Sequence, residues 1–210
     1  MEADLIMKIN LILLASGFSR RFNGNKLLTD FCGRPLYMYV IDEVMKIYME
    51  DNFKFNKIIC VTQYEEIKDS LKGTPMKVII NENSSFGISN SIKLGINYDT
   101  EADGYMFMVC DQPFIKKETL SYVMDAFCKG NKGIVAIGRN DMIGNPVIFS
   151  RKYIDELLSL QGDVGGKKIV KRHLDDVEIV QIDDELQFAD IDTVEAYERF
   201  AQEKKYKTLD

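Results

Sequence analysis

Histidine is nearly absent: His173 is the only one among 210 residues. Chemistry built on an imidazole base or on a histidine metal cluster therefore has little to stand on. Cysteine is scarce too. Cys32, Cys60, Cys110 and Cys128 form no C-x-x-C pair, and none lies near His173, which argues against a structural zinc site. Cys60 and Cys110 fall inside apolar runs, so the cysteines read as reduced and mostly buried small hydrophobes. Long apolar runs are missing: Leu11 to Ala15 meets a polar loop at once and is too short for a signal-peptide core or a membrane span. A soluble, cytoplasmic protein without a membrane partner is expected. A positive surplus is missing as well. Lys and Arg number 27 against 33 Asp and Glu, a net charge of −6, which excludes a non-specific nucleic-acid binder. A small phosphorylated ligand stays open, since a local basic cluster can sit on an acidic body. With no internal repeat, low-complexity stretch or long linker, the length suggests one domain, over 1–202, and a polar tail over 203–210.

What is present is a rhythm. The apolar runs are Ile9–Leu14, Lys57–Thr62, Met76–Ile80, Tyr105–Cys110, Gly133–Ile137 and Val177–Ile182. Each is short, rich in Ile, Val, Phe or Met, and bounded by polar residues, as strands buried on both faces of a parallel sheet are. Stretches with helical spacing lie between and after them. Pro35–Met49 carries Leu36, Val40, Val44 and Ile47; Lys117–Cys128 carries Leu120, Val123, Met124 and Phe127; Arg151–Leu160 and Val194–Ala201 read alike. The alternation predicts a single α/β domain, doubly wound, with a mainly parallel sheet. Ligands in such folds sit beyond the C-terminal ends of the strands.

The first run opens into Leu14-Ala15-Ser16-Gly17-Phe18-Ser19-Arg20-Arg21-Phe22-Asn23-Gly24-Asn25-Lys26. Small residues at 15 to 17 let the backbone come close to a ligand. Arg20, Arg21 and Lys26 supply counter-charge for a triphosphate, which carries about four negative charges. The spacing is neither a Walker loop nor G-x-G-x-x-G. By itself the segment also reads as a solvated surface loop.

Three later segments add to it. Asn81 is followed by Gly87-Ile88-Ser89-Asn90-Ser91-Ile92 and Gly95, where Ser89 and Ser91 are helix-start residues. A helix N-terminus of this kind suits a base or sugar, or is a plain cap. Val109-Cys110-Asp111-Gln112-Pro113 puts a carboxylate at the tip of a buried strand, suited to a hard cation or to helix capping. A third group comprises Gly144-Asn145-Pro146-Val147-Ile148-Phe149, Gly162-Asp163-Val164-Gly165-Gly166-Lys167-Lys168 and Asp190-Ile191-Asp192-Thr193. Its glycine-rich turn could bind an anion or simply precede a helix.

In order and spacing these segments resemble the signatures of the molybdenum cofactor cytidylyltransferase-like family of nucleotidyltransferases. The matching patterns are L-A-A-G-x-S-x-R-M-G-x-x-K, N-x5-G-[ML]-S-x-S-[LI]-x-x-G, D-Q-P, G-[HN]-P-V-x-F, G-D-x-G-[AG]-[RK] and D-I-D-T. Ser16, Phe22 and Asn23 depart from the first of them. The resemblance implies a nucleotide-diphospho-sugar transferase-like fold with a mixed C-terminal portion of the sheet. It implies a nucleotide site at Leu14, Ala15, Ser16, Gly17, Ser19, Arg21, Lys26, Asn81, Gly87, Ser89, Ser91 and Asp111. It implies a pterin-phosphate acceptor at Gln112, Pro113, Asn145, Gly162, Asp163, Gly165 and Lys167. Magnesium would be held by Asp111 and Asp192, with Asp190 the competing second ligand. Lys26, Arg21 and Asp111 would carry catalysis.

The expected reaction is in-line attack of an acceptor phosphate on the α-phosphorus of a nucleoside triphosphate, with pyrophosphate leaving. D-Q-P and the G-D-x-G-G turn favour CTP, and Ser16 is where that choice is weakest. Molybdopterin is the implied acceptor and a molybdoenzyme the implied client. A phosphoester acceptor ionises with a second pKa of about 6 and needs no base, so His173 is expected at a surface or helix end. The alternatives are transfer to a sugar or polyol phosphate and a non-catalytic nucleotide-binding accessory module. Retention of Lys26, Asp111 and Asp192 argues against the latter.

Overall fold

All six apolar runs become strands, the central ones buried on both faces and the two at the sheet edges only partly buried. The computed structural model describes residues 7–17, 25–50 and 55–207, with 203–207 described by backbone alone. The strands are β1 (Ile9–Ala15), β2 (Lys57–Thr62), β3 (Lys77–Ile80), β4 (Gly104–Val109), β5 (Ile134–Arg139), β6 (Met142–Ser150) and β7 (Val177–Gln181). They form one sheet in the order β3-β2-β1-β4-β6-β5-β7. Pairs β1–β2, β1–β4, β2–β3 and β5–β7 are parallel; β4–β6 and β5–β6 are antiparallel. Only β6 therefore runs against the rest, which gives the expected mixed C-terminal portion.

Alternation along β1 shows why the run from Leu11 to Ala15 is continuously apolar. Leu11 and Leu13 face one core, shared with Val40, Val44 and Ile47 of α1 (Met38–Tyr48) and Leu120, Val123 and Phe127 of α4 (Lys117–Lys129). Ile12 faces the other, with Ile92 and Ile96 of α3 (Ile88–Asn97), Leu157 of α5 (Ile154–Ser159) and Ile169 of α6 (Lys167–Arg172). Gly95 is what lets α3 lie this close: a Cβ there would stand 2.5 Å from Ile12 Cγ2. A six-residue helix, α2 (Glu65–Ser70), links β2 to β3.

β6 is the strand that hydrophobic runs alone do not reveal. Its pairing with β5 shifts between Ala136 and Ile137, so that Asn145 and Pro146 sit in the irregularity. Proline has no N–H for the ladder, and such a break is where a strand tolerates it. The last helix, α7, spans Val194–Lys207, so the boundary placed at 202/203 falls inside it. A third apolar cluster, Phe31, Leu36, Tyr39, Ile191 and Phe200, packs the C-terminal segment against residues 31–39. The Ile191 N–H donates to the Asp111 carbonyl at 3.1 Å, which anchors the chain between Asp190 and Asp192 beside the end of β4.

Candidate active site

β1 has neighbours on both sides whose connections leave in opposite directions, so a crevice opens at its C-terminal end, between β1 and β4. A cleft of about 570 Å³ lies there. Leu14, Ser16, Gly17 and Lys26 line it from the β1 side, Gly87 and Ser91 from α3, and Asp111, Asp163 and Asp192 from the β4 side and the C-terminal segments.

Lys26 sits at the centre of the charge. Its Nζ donates to Asp111 Oδ2 at 2.7 Å and to Asp192 Oδ1 at 2.6 Å. Burial alone would push this ammonium toward neutrality; the two carboxylates outweigh that and raise its pKa. Asp111 Oδ1 is buried and has no hydrogen-bond partner among the described residues. A buried carboxylate oxygen without a partner is a demand for a donor or a cation. Asp190 turns elsewhere, accepting from Gln112 Nε2 at 2.8 Å. Burial, helped by the charges of Asp111 and Asp192, pushes Asp190 up to about 6 against the opposing pull of Gln112 and Lys26.

These groups fit a hard divalent cation. No cluster of three or more His, Cys, Asp or Glu able to hold a metal exists among the described residues. Asp111 and Asp192 supply two carboxylates instead, the set magnesium accepts when phosphates and water complete its shell.

The other expected site residues divide. Ala15 is buried within β1, and Asn81 is buried as a pin: its Nδ2 donates to Ser91 Oγ at 3.0 Å, while its Oδ1 accepts from Asn90 Nδ2 at 2.7 Å. Ser89 and Ser91 stand at the start of α3, but neither hydroxyl caps it. The cap comes from the glycine-rich turn. Ser89 N–H donates to the Gly162 carbonyl at 3.2 Å and Ile88 N–H to Asp163 Oδ1 at 3.4 Å. Gly87 makes this approach feasible. Its φ is +85°, and a Cβ there would stand 2.4 Å from the Gly162 carbonyl carbon. Gly165 packs near Ile88, and Lys167 is exposed as the first residue of α6. Gln112 is buried, Pro113 follows it, and Asn145 lies half-buried in β6. Ser19 and Arg21 lie outside the described residues.

Ser16 has an unexpected disposition. Its hydroxyl donates to the Val61 carbonyl at 3.0 Å, within the sheet edge rather than toward the cleft. His173 is at the C-terminal cap of α6, half-buried, beside Glu156 Oε1 at 2.8 Å. All four cysteines are free, Cys60 and Cys110 buried and Cys128 exposed. No helix of the described residues is long and apolar enough to cross a membrane.

The neutral lining was not visible from motifs. Ser84 and Ser85 line the cleft, and Gln63 and Tyr64 tie it together. Gln63 directly follows the β2 run, where ligand-facing residues of this fold class are expected.

Comparison with known proteins agrees with this geometry. A family model described as the MobA-like NTP transferase domain matches residues 11–177. A probable molybdenum cofactor guanylyltransferase of Thermococcus sibiricus is 26% identical over 121 residues, covering 57% of this chain and 56% of that protein. A bifunctional GlmU protein of a Geobacillus strain is 28% identical over 119 residues, 54% of this chain. The match spans only 24% of that GlmU protein's length. Among solved structures, a nucleotidyl transferase from Methanothermobacter superposes with a TM-score of 0.79 at 18% identity, covering 95% of this chain and 99% of that one. The Rv0371c protein of Mycobacterium tuberculosis, which has also been solved as a manganese complex, gives 0.79 at 22% identity, covering 93% of this chain and 98% of that one. These likenesses carry the fold, and the family model, which covers more than half of the sequence, carries the assignment: the chain belongs to the MobA-like NTP transferase domain family.

Proposed function

We propose that this protein is a metal-dependent nucleotidyltransferase that moves a nucleoside monophosphate from a triphosphate onto an acceptor phosphate, releasing pyrophosphate. One observation carries the reading: Lys26 joins Asp111 and Asp192 at the charged end of the cleft, and a buried Asp111 oxygen stays unpaired.

Asp111 and Asp192 would hold magnesium, which when bound supplies charge neutralisation at the transferring phosphoryl group. Asp192 is preferred to Asp190 because it shares Lys26 with Asp111, whereas Asp190 is turned to Gln112. Lys26, with Arg21 from the same loop, balances the triphosphate and the departing pyrophosphate. The cleft aligns the reactants. An acceptor phosphate is already ionised at neutral pH, its second pKa being about 6; no side chain has to remove a proton, in keeping with a cleft that His173 does not line.

The nucleotide is CTP and the acceptor molybdopterin, on the strength of the Asp111-Gln112-Pro113 and Gly162–Gly166 segments. The resemblance to a molybdenum cofactor guanylyltransferase favours GTP as the second reading. A client molybdoenzyme and a cytoplasmic setting follow from the acceptor. Pyrophosphate release from each triphosphate in magnesium, with molybdopterin and separately with sugar and polyol phosphates, is the test. Release with CTP and molybdopterin is expected. Release only with sugar or polyol phosphates would move the acceptor; no release under any pairing would sink catalysis and leave a nucleotide-binding accessory protein.

A further inference from the structure

The end of the cleft opposite the carboxylates is built from neutral groups whose hydrogen bonds can run in one direction only. Ser16 and Gly17 present backbone carbonyls that can only accept. Gln63 Nε2 donates to the Ser16 carbonyl at 3.0 Å, and the Tyr64 hydroxyl donates to the Gly17 carbonyl at 3.1 Å. That fixes the rest. The Gln63 amide cannot be reversed, since its oxygen would then face the Ser16 oxygen. Its second N–H donates to the Tyr64 oxygen at 3.1 Å, whose own proton is already placed. The remaining face of Gln63 is its Oε1, and the Ser84 hydroxyl donates to it at 2.8 Å.

A hydroxyl carries one proton and two lone pairs. Ser84 has committed its proton to Gln63, so to anything in the cleft it can only accept. Ser84 lines that cleft and is itself buried, 9% exposed, so an N–H brought to it would be largely shielded from water. Its place is also informative. Ser84 follows β3, and Asp111 follows β4; the order β3-β2-β1-β4 separates them by up to three strand spacings, on the order of 14 Å. One cleft is lined by both Ser84 and the carboxylates, so a triphosphate with its phosphates at Asp111 and Asp192 would have room to place its base by Ser84.

Resting on the nucleotidyltransferase reading, we infer that Gln63 is a positioning residue that turns Ser84 into an acceptor-only reader of the nucleobase, selecting a base that presents an exocyclic amine. Ser84 is the specificity-determining contact. Gln63 acts through it, and also ties the Ser16–Gly17 turn to the end of β2. Nothing in this device distinguishes cytosine from guanine, since both carry an amine. It rejects the analogue that has a carbonyl or a hydrogen at the amine position, because the Ser84 lone pairs would meet an acceptor or nothing.

The test is equilibrium binding of matched pairs in magnesium, CTP against UTP and GTP against ITP, to the full chain and to Ser84→Ala and Gln63→Met. The wild type should bind the amine-bearing member of its preferred pair on the order of tenfold tighter or more. In Ser84→Ala that ratio should fall toward one. In Gln63→Met the Ser84 proton is released to face the cleft, so the ratio should fall too. A melting curve within a few degrees of wild type establishes that each variant folds, and the conservative Ser84→Thr, which keeps the hydroxyl, should restore the ratio. Equal affinity for both members of each pair in the wild type, or a ratio untouched by Ser84→Ala, would overturn the inference alone. Failure of every nucleotide and of inorganic triphosphate to bind would overturn the nucleotidyltransferase reading and this inference with it.

Discussion

The two ends of the cleft solve different problems with different means. At the β4 end, Lys26, Asp111 and Asp192 concentrate formal charge within 2.7 Å contacts. At the β3 end, Gln63, Tyr64, Ser84 and the Ser16–Gly17 carbonyls carry no formal charge, and the side-chain protons are committed to fixed neighbours. Charge is strong and undirected, which suits a phosphate chain; neutral hydrogen bonds are weaker and directional, which suits telling one ring edge from another. Removing a group from the charged end should therefore damage the rate, and removing one from the neutral end should damage the choice of substrate.

Asp111→Ala should break the comparison most visibly. It removes the one carboxylate among the described residues with a buried, unpaired oxygen, and turnover should fall by roughly 10³-fold or more, while the melting temperature stays close to that of the wild type. Wild-type turnover at saturating magnesium would remove Asp111 from the chemistry. Lys26→Met comes next. Turnover should fall by about 10²-fold, yet manganese titrated calorimetrically without nucleotide should bind more tightly, since the internal cation that shares Asp111 and Asp192 is gone. Weaker metal binding in that variant would show that Lys26 organises the carboxylates rather than competing for them.

Gly87→Ala tests the seam between the two ends. The backbone there sits at φ +85°, and the new Cβ would collide with Gly162 and Asp163. The expected cost is about 2–4 kcal/mol, read as a lowered melting temperature, together with weakened binding of acceptor and nucleotide alike, because the Gly162 turn caps the start of α3. An unchanged melting temperature would mean that the turn moves away freely.

Much of this was legible in the sequence where burial is two-sided. β1, β2 and β4 each sit with a neighbour on either edge and a helix layer on either face, so their interiors are apolar apart from Asn10 near the start of β1. β6 was hidden from that pattern, because Gly144, Asn145 and Pro146 break its apolar run and its first half is partly exposed. α2, with six residues, is too short to show a helical period. In the cleft, Asp111 stood out at the tip of the apolar run Tyr105–Cys110, Lys26 as part of the basic loop after the first run, and Asp192 through the family resemblance. Gln63 and Ser84 did not, since Gln and Ser are ordinary loop residues, and only the positions of their partners reveal that their protons are committed. Ser16 stands at the cleft wall as the sequence suggests, but its hydroxyl is committed to the Val61 carbonyl, which no motif discloses.

Asp176 gives the smallest effect and the sharpest control. It is a strongly perturbed carboxylate that does not line the cleft. Desolvation pulls its pKa up, but the Lys152 ammonium, the Tyr153 hydroxyl and the Gly133 N–H prevail and hold it down at about 2, against an ordinary 3.8. A carboxylate with a depressed folded-state pKa contributes stability that is complete above its unfolded value and vanishes as pH falls through the folded one. Asp176→Asn should therefore lower the melting temperature near neutral pH, by an amount equivalent to about 2 kcal/mol. The gap to the wild type should narrow between pH 3.8 and about 2. Turnover and the amine-to-carbonyl binding ratio should both stay at wild-type values, since Asp176 ties β7's approach to the β5 end and touches neither end of the cleft. A change in either would mean that the charged and neutral ends are coupled through the C-terminal half of the sheet, and the division of labour between them would have to be redrawn around that coupling.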